Sequence, residues 1–245
     1  MKFAFGAALL AAAFLTTGCA SRQALVPLSD SAFDAPAARV GIAMTGIPKP
    51  DTFFPGADCL LCYATASLAN KSLTNYTQTL SADDLGKIKQ DMAKALTKKG
   101  MEAKVIDQPI ALESLPDAKQ SGTNIAKKDF TSYRSIHNID KLVVIQMISV
   151  GYTRTYASYF PTSEPKASTN GLGYMVDLKS NVYDWYLPVT VTKASDGPWD
   201  EPAKFPGLTN AYYQALEATG DDFLKPFAST TGSPMATTAA VPASR

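Results

Sequence analysis

The chain predicts an α/β protein, a mixed parallel and antiparallel sheet with helices packed on it, in the order β-α-β-α-β-β-β-α. Three observations carry this. Strand-length apolar runs near the start alternate with helical periodicity, and a βαβαβ beginning requires parallel strands covered by helices. Two later runs alternate at period two around a polar turn, which is an antiparallel hairpin. A final amphipathic stretch closes the fold. Composition agrees: 46% of the 245 residues are apolar, enough for one medium domain and too many for a disordered chain.

Arg39–Thr45 is the first strand, stopped by Gly46. The passage to Gly56 carries Pro48, Pro50 and Pro55 and reads as a stiff loop. Asp58 can cap a helix reaching about Asn70, with Leu60, Leu61, Ala64 and Leu68 as its expected buried face. Ser81 and Asp84 form a capping box. Behind it Leu85, Ile88, Met92, Ala95 and Leu96 share one helical face, and Gly100 ends that helix. Glu102–Ile106 is the second strand, and Pro109 and Pro116 bracket an irregular passage.

Asp129–Asn138 is a short helix with Phe130, Tyr133 and Ile136 on one side. Leu142-Val143-Val144-Ile145 is apolar on both faces, so it is a central strand. From Val150 the pattern changes to alternation, as if the strand ran out past the core. Leu172, Tyr174, Val176 and Leu178 alternate, Lys179-Ser180-Asn181 turns, and Tyr183 to Val191 alternate in return. Pro188 lacks an N–H and places the last strand at an edge or a bulge. Leu208, Tyr212, Ala215, Leu216 and Thr219 mark the closing helix.

The two ends read differently. Residues 1–18 have Lys2, then an uncharged stretch rich in Ala, Leu and Phe, too short to span a bilayer. That is a signal peptide, and it ends Leu15-Thr16-Thr17-Gly18-Cys19. This junction resembles the lipobox of bacterial lipoproteins, with Thr16 where Leu is usual. The resemblance implies that Cys19 becomes the acylated amino terminus, and that Ala20 directs the protein to the outer membrane, on its periplasmic face. Several acyl chains would anchor it stably, at about 0.8 kcal/mol per buried methylene. Residues 19–37 then read as a lipidated tether, 38–227 as a single domain, and 228–245, rich in Ser, Thr, Ala and Pro, as a disordered tail.

Composition excludes some functions. A formal net charge of +1 offers no basic excess for nucleic acid. With His137 as the only histidine there is no metalloprotease helix, and no nucleophile elbow, phosphate loop or dinucleotide loop occurs. Neither a cofactor nor a metal is expected, and no catalytic residue is assigned. Cys59 and Cys62 form Cys-Leu-Leu-Cys. In the periplasm they could be buried thiols, a structural bridge or a redox pair. The Leu-Leu spacer and the preceding Asp58 argue against a low-pKa redox thiol.

One constellation suits an interface. Tyr152, Arg154, Tyr156, Tyr159 and Phe160 crowd the apparent outward end of the central strand. Arg and Tyr are common at interface hot spots, though the same residues could be core beneath the last helix. The element order, over about Arg39 to Phe227, is similar to the α/β domain of the curli-secretion lipoprotein and the amino-terminal domain of the Tol–Pal translocation protein B, and the pattern Leu-Val-Val-Ile, Gly151-Tyr152-x-Arg154, then Gly173-x-x-Val176-Asp177-Leu178 is similar to a group of uncharacterised proteobacterial lipoproteins. Together with the absence of catalytic motifs, the expected role is a non-catalytic envelope accessory or assembly subunit that works by protein–protein contact. Its partners would be the membrane, through the lipid on Cys19, and an envelope protein or further copies of itself. A thiol-redox or hydrolytic enzyme and a glycan-binding module are the alternatives.

Overall fold

The computed structural model describes residues 23–33 and 38–228. Cys19, the signal peptide and the tail from 229 onward lie outside the described residues. The elements are β1 (Arg39–Met44), β2 (Asp51–Phe53), α1 (Leu60–Ala69), α2 (Lys71–Thr77), α3 (Ile88–Lys98), β3 (Glu102–Val105), α4 (Tyr133–His137), β4 (Lys141–Thr153), β5 (Tyr156–Ala157), β6 (Phe160–Pro161), β7 (Lys166–Asp177), β8 (Val182–Lys193) and α5 (Pro206–Ala228). The fold is the α/β mixture that the periodicities predict.

One sheet runs in the order β3-β1-β4-β7-β8, with β2 also on β4. β1 is parallel to β3 and β4, and β7 is antiparallel to β4 and β8. β1 and β2 share one edge of β4 in tandem: β1 pairs Lys141–Ile145 and β2 pairs Gly151–Thr153. The loop expected as far as Gly56 is thus interrupted by β2, and only its first part, with Pro48 and Pro50, carries the chain along that edge. β8 is an outer strand, one of the two placements that Pro188 allows.

Helices α3 and α5 cover one face, burying Ile88, Met92 and Leu96 and then Leu208, Tyr212, Leu216 and Phe223 against Ile42, Val143, Ile145 and Trp185. The other face packs Leu142, Val144, Tyr174 and Val176 under Ile110, Ala126, Phe130 and Ile139. Burial there pushes the Tyr183 hydroxyl up to about 12.

Four further expectations need correction. The run from Lys141 to Thr153 is one strand, and its outer end is not projecting. Tyr152 is fully buried, its ring 6.0 Å from that of Tyr212, and its hydroxyl donates to the Leu208 carbonyl at 2.9 Å. The start of α5 reaches farther along β4 than local alternation reveals. The helix expected over Asp129–Asn138 shrinks to Tyr133–His137, because Asp129 forms a local turn with Thr131 and Asn138 adopts a left-handed conformation at φ 51°. Ile136 is left exposed. Part of the expected tether is docked: Val26 and Tyr186 exchange backbone hydrogen bonds of 3.0 and 2.9 Å, and Ala32 is buried. The fourth correction concerns α1.

Candidate functional site

Beyond the sheet's helical cover, the end of β4 supports a small platform. It is built from β2, α1, α2 and the β5–β6 hairpin. The backbones meet so closely that two positions admit only glycine. A Cβ on Gly151, at φ +143°, would sit 1.8 Å from the Asp51 carbonyl oxygen. One on Gly56, at φ +86°, would sit 1.9 Å from the Tyr156 carbonyl oxygen.

A minor core of Phe54, Ala57, Cys62, Ala66 and Tyr156 lies under α1. Phe54 meets Tyr156 edge to face, ring centroids 5.9 Å apart. A buried polar network completes the seat. The Asn70 side-chain amide donates to the Ala66 carbonyl and to the Tyr156 hydroxyl, both at 2.7 Å. Its oxygen accepts from Arg154 Nη1 at 3.0 Å, and Arg154 Nε donates to the Ser163 carbonyl at 3.1 Å. The guanidinium also lies 5.0 Å from the centre of the Trp199 ring.

This geometry divides the sequence-predicted interface residues. Tyr152 and Tyr156 belong to cores, and Arg154 is occupied in clamping α1 to the loop after β6. Only Tyr159 and Phe160 face solvent, 44% and 74% exposed. The reason is that α1 and the start of α5 fold over strand residues that local alternation alone leaves projecting.

Cys59 and Cys62 are joined by a disulfide, with Cα atoms 4.9 Å apart. Cys59, not Asp58, is the N-cap of α1, and its Sγ accepts from the Cys62 N–H at 2.9 Å. Ser158 Oγ lies 3.2 Å from Cys62 Sγ, and the Tyr159 hydroxyl 3.8 Å from Cys59 Sγ. The first turn of α1 is thus stapled to itself and lies against the hairpin.

The correction to α1 follows. It buries Cys62 and Ala66, two small side chains one turn apart, and the leucines expected inside are outside. Leu60 is 85% exposed, Leu61 68%, Tyr63 54% and Leu68 74%. No charged residue occurs between Leu60 and Ala69. A helix apolar on every side is normally buried on every side. Fully exposed side chains of this size present roughly 150–250 Å² each, so these four with Tyr159 and Phe160 expose roughly 600–800 Å². Sequence reasoning missed this surface because it placed the leucines in the core. The signal was there in the choice of residues: only Cys and Ala stand at the spacing that docks.

Other candidates are weaker. His137 stacks on Tyr133 with ring centroids 5.4 Å apart. Among the described residues no group of three His, Cys, Asp or Glu could hold a metal ion, and no helix is long and apolar enough to cross a membrane.

No family model matches the chain, and no curated protein matches it in sequence. Solved structures show similarity in outline. The PelC dodecamer from Paraburkholderia phytofirmans is 9% identical, with 86% of this chain and 97% of that one covered and a TM-score of 0.34. Protein XCC0632 from Xanthomonas campestris is 11% identical over 83% and 90%, TM-score 0.37. Lipoprotein GNA1162 from Neisseria meningitidis is 12% identical over 74% and 99%, TM-score 0.31.

Proposed function

We propose that this protein is a lipid-anchored accessory or assembly subunit of the cell envelope that works by protein–protein contact through the exposed face of α1. The single observation that carries the reading is the uncharged helix whose leucines face solvent while its small residues dock. Removing that area from water stabilises a complex at about 25 cal/mol per Å², before the costs of association are subtracted.

Placement favours a protein over the bilayer as the occupant. Gln23 is four residues after Cys19, a reach of at most about 14 Å. Its side chain donates to Asn124, whose carbonyl accepts from the Tyr183 N–H at the start of β8. Tyr183 pairs with Val176 of β7, and the platform lies at the other end of β4, where β2 pairs with Gly151–Thr153 and Thr153 pairs with Lys166. Ten residues of β7 separate these registers, about 33 Å at strand rise. An anchor at Cys19 would hold one end of the sheet at the membrane and present α1 at the opposite end.

The test uses two variants of the full chain. Leu61→Asp combined with Leu68→Asp should leave the melting temperature unchanged and remove the protein's high-mass complex from gently solubilised envelopes. Cys19→Ser should release the chain into the soluble fraction with α1 intact. A complex that survives both aspartates refutes the contact face. A Cys19→Ser chain still in the membrane fraction refutes the anchor.

A further inference from the structure

We infer that the occupant of the α1 face is a second copy of this chain, lying antiparallel across a twofold axis that passes between Ala64 and Thr65. This rests on the contact reading above and deepens it by naming the partner.

The argument is a symmetry in the residues themselves. Leu61, Ala64, Thr65 and Leu68 are spaced i, i+3, i+4 and i+7, so they form one stripe, and all four are exposed. Counted outward from the midpoint of Ala64 and Thr65, Leu61 and Leu68 are equidistant. So are Asp58 and Lys71, the exposed charges that flank the helix. An isologous contact requires that what stands at one distance on one side be complementary to what stands at that distance on the other. Leucine meets leucine, and aspartate meets lysine.

The centre suits close approach. Ala64 is small, and the Thr65 hydroxyl already donates to the Leu61 carbonyl at 2.9 Å, so it asks nothing of a partner. Helix axes pack about 8–10 Å apart when small residues stand at the crossing. The charges also stand where they are needed, because Asp58 and Lys71 lie just beyond the two ends of the ten-residue helix, which is about 15 Å long. Antiparallel packing therefore sets two Asp–Lys pairs at the two ends of the contact. Parallel packing would instead oppose like charges.

The experiment places a photo-crosslinking phenylalanine analogue in place of Leu68 in the full chain, in intact cells. A covalent homodimer is expected, with the attachment mapped to the first two turns of α1. Asp58→Lys or Lys71→Asp alone should reduce the yield about tenfold, since each turns two attractions into two repulsions. Asp58→Lys with Lys71→Asp in one chain should restore it, and only a second copy carrying the same changes can do so. Circular dichroism on each variant separates lost contact from lost fold. A crosslink to a different protein overturns the second-copy assignment and leaves the contact reading standing. No crosslinked product from a folded chain overturns both. A double reversal that fails to restore the dimer overturns the antiparallel arrangement.

Discussion

Helices α1 and α3 are nearly equal in length and have opposite fates. α3 carries Ile88, Met92 and Leu96 at one-turn spacing, and all three are buried, while Lys89, Asp91, Lys94 and Lys98 occupy its other sides. α1 uses the same one-turn spacing for docking but places Cys62 and Ala66 there, and it keeps its large side chains outside. The more apolar helix is thus the less buried. Apolar content says how much surface a helix must hide, and the docking stripe says how much the fold itself hides. The difference between them is what the proposed association would cover.

The comparison breaks or holds most visibly by truncation. Leu96→Ala in α3 should destabilise the protein by about 2–5 kcal/mol, the cost of a large-to-small change in a packed core. Leu68→Ala in α1 should change stability by no more than about 0.5 kcal/mol. Urea unfolding of the chain below its association concentration measures both. A Leu68→Ala cost of core size would mean that the face is covered within one chain.

A smaller effect is expected at the staple. Replacing Cys59 and Cys62 by serine removes a short closed loop, for which chain entropy gives about 2 kcal/mol. The loss should be confined to the platform, so hydrogen exchange should quicken in α1 and leave α3 protected. Equal quickening in both helices would show that the platform and the main core unfold together.

The finest test is one oxygen. Tyr156→Phe keeps the ring against Phe54 and removes the hydroxyl that accepts from Asn70. The expected cost is about 1 kcal/mol, with the Arg154–Asn70 contact retained. A cost near zero in thermal melts would show that the Asn70 amide is satisfied by the Ala66 carbonyl alone.

Much of the fold is legible in the chain because period 2 and period 3.6 are local signals. The stripe of α3, the β7–β8 hairpin and the buried run of β4 all announce themselves this way. Tyr152 does not, because its burial depends on how far α5, starting 54 residues later, extends along β4. α1 is harder still. A helix that is apolar all round has no favoured side, so its docking face is decided by fit to Phe54 and Tyr156 and not by pattern. Of the candidate site, Tyr159, Phe160 and the cysteine pair are visible from residue types alone. The leucines that complete it are visible only once the small residues are seen beneath them.

Gly56 and Gly151 give the platform a hereditary signature. Every single-base change in a glycine codon that alters the amino acid adds a Cβ or stops the chain, and at these two places a Cβ collides with carbonyl oxygen. A mutagenesis library selected only for folded protein should therefore be empty at Gly56 and Gly151 and freely varied at Leu60, Leu61 and Leu68. The same library selected for growth, where the envelope depends on this protein, should lose that variation at the leucines. The contrast between the two selections would separate the positions that build the platform from those that use it.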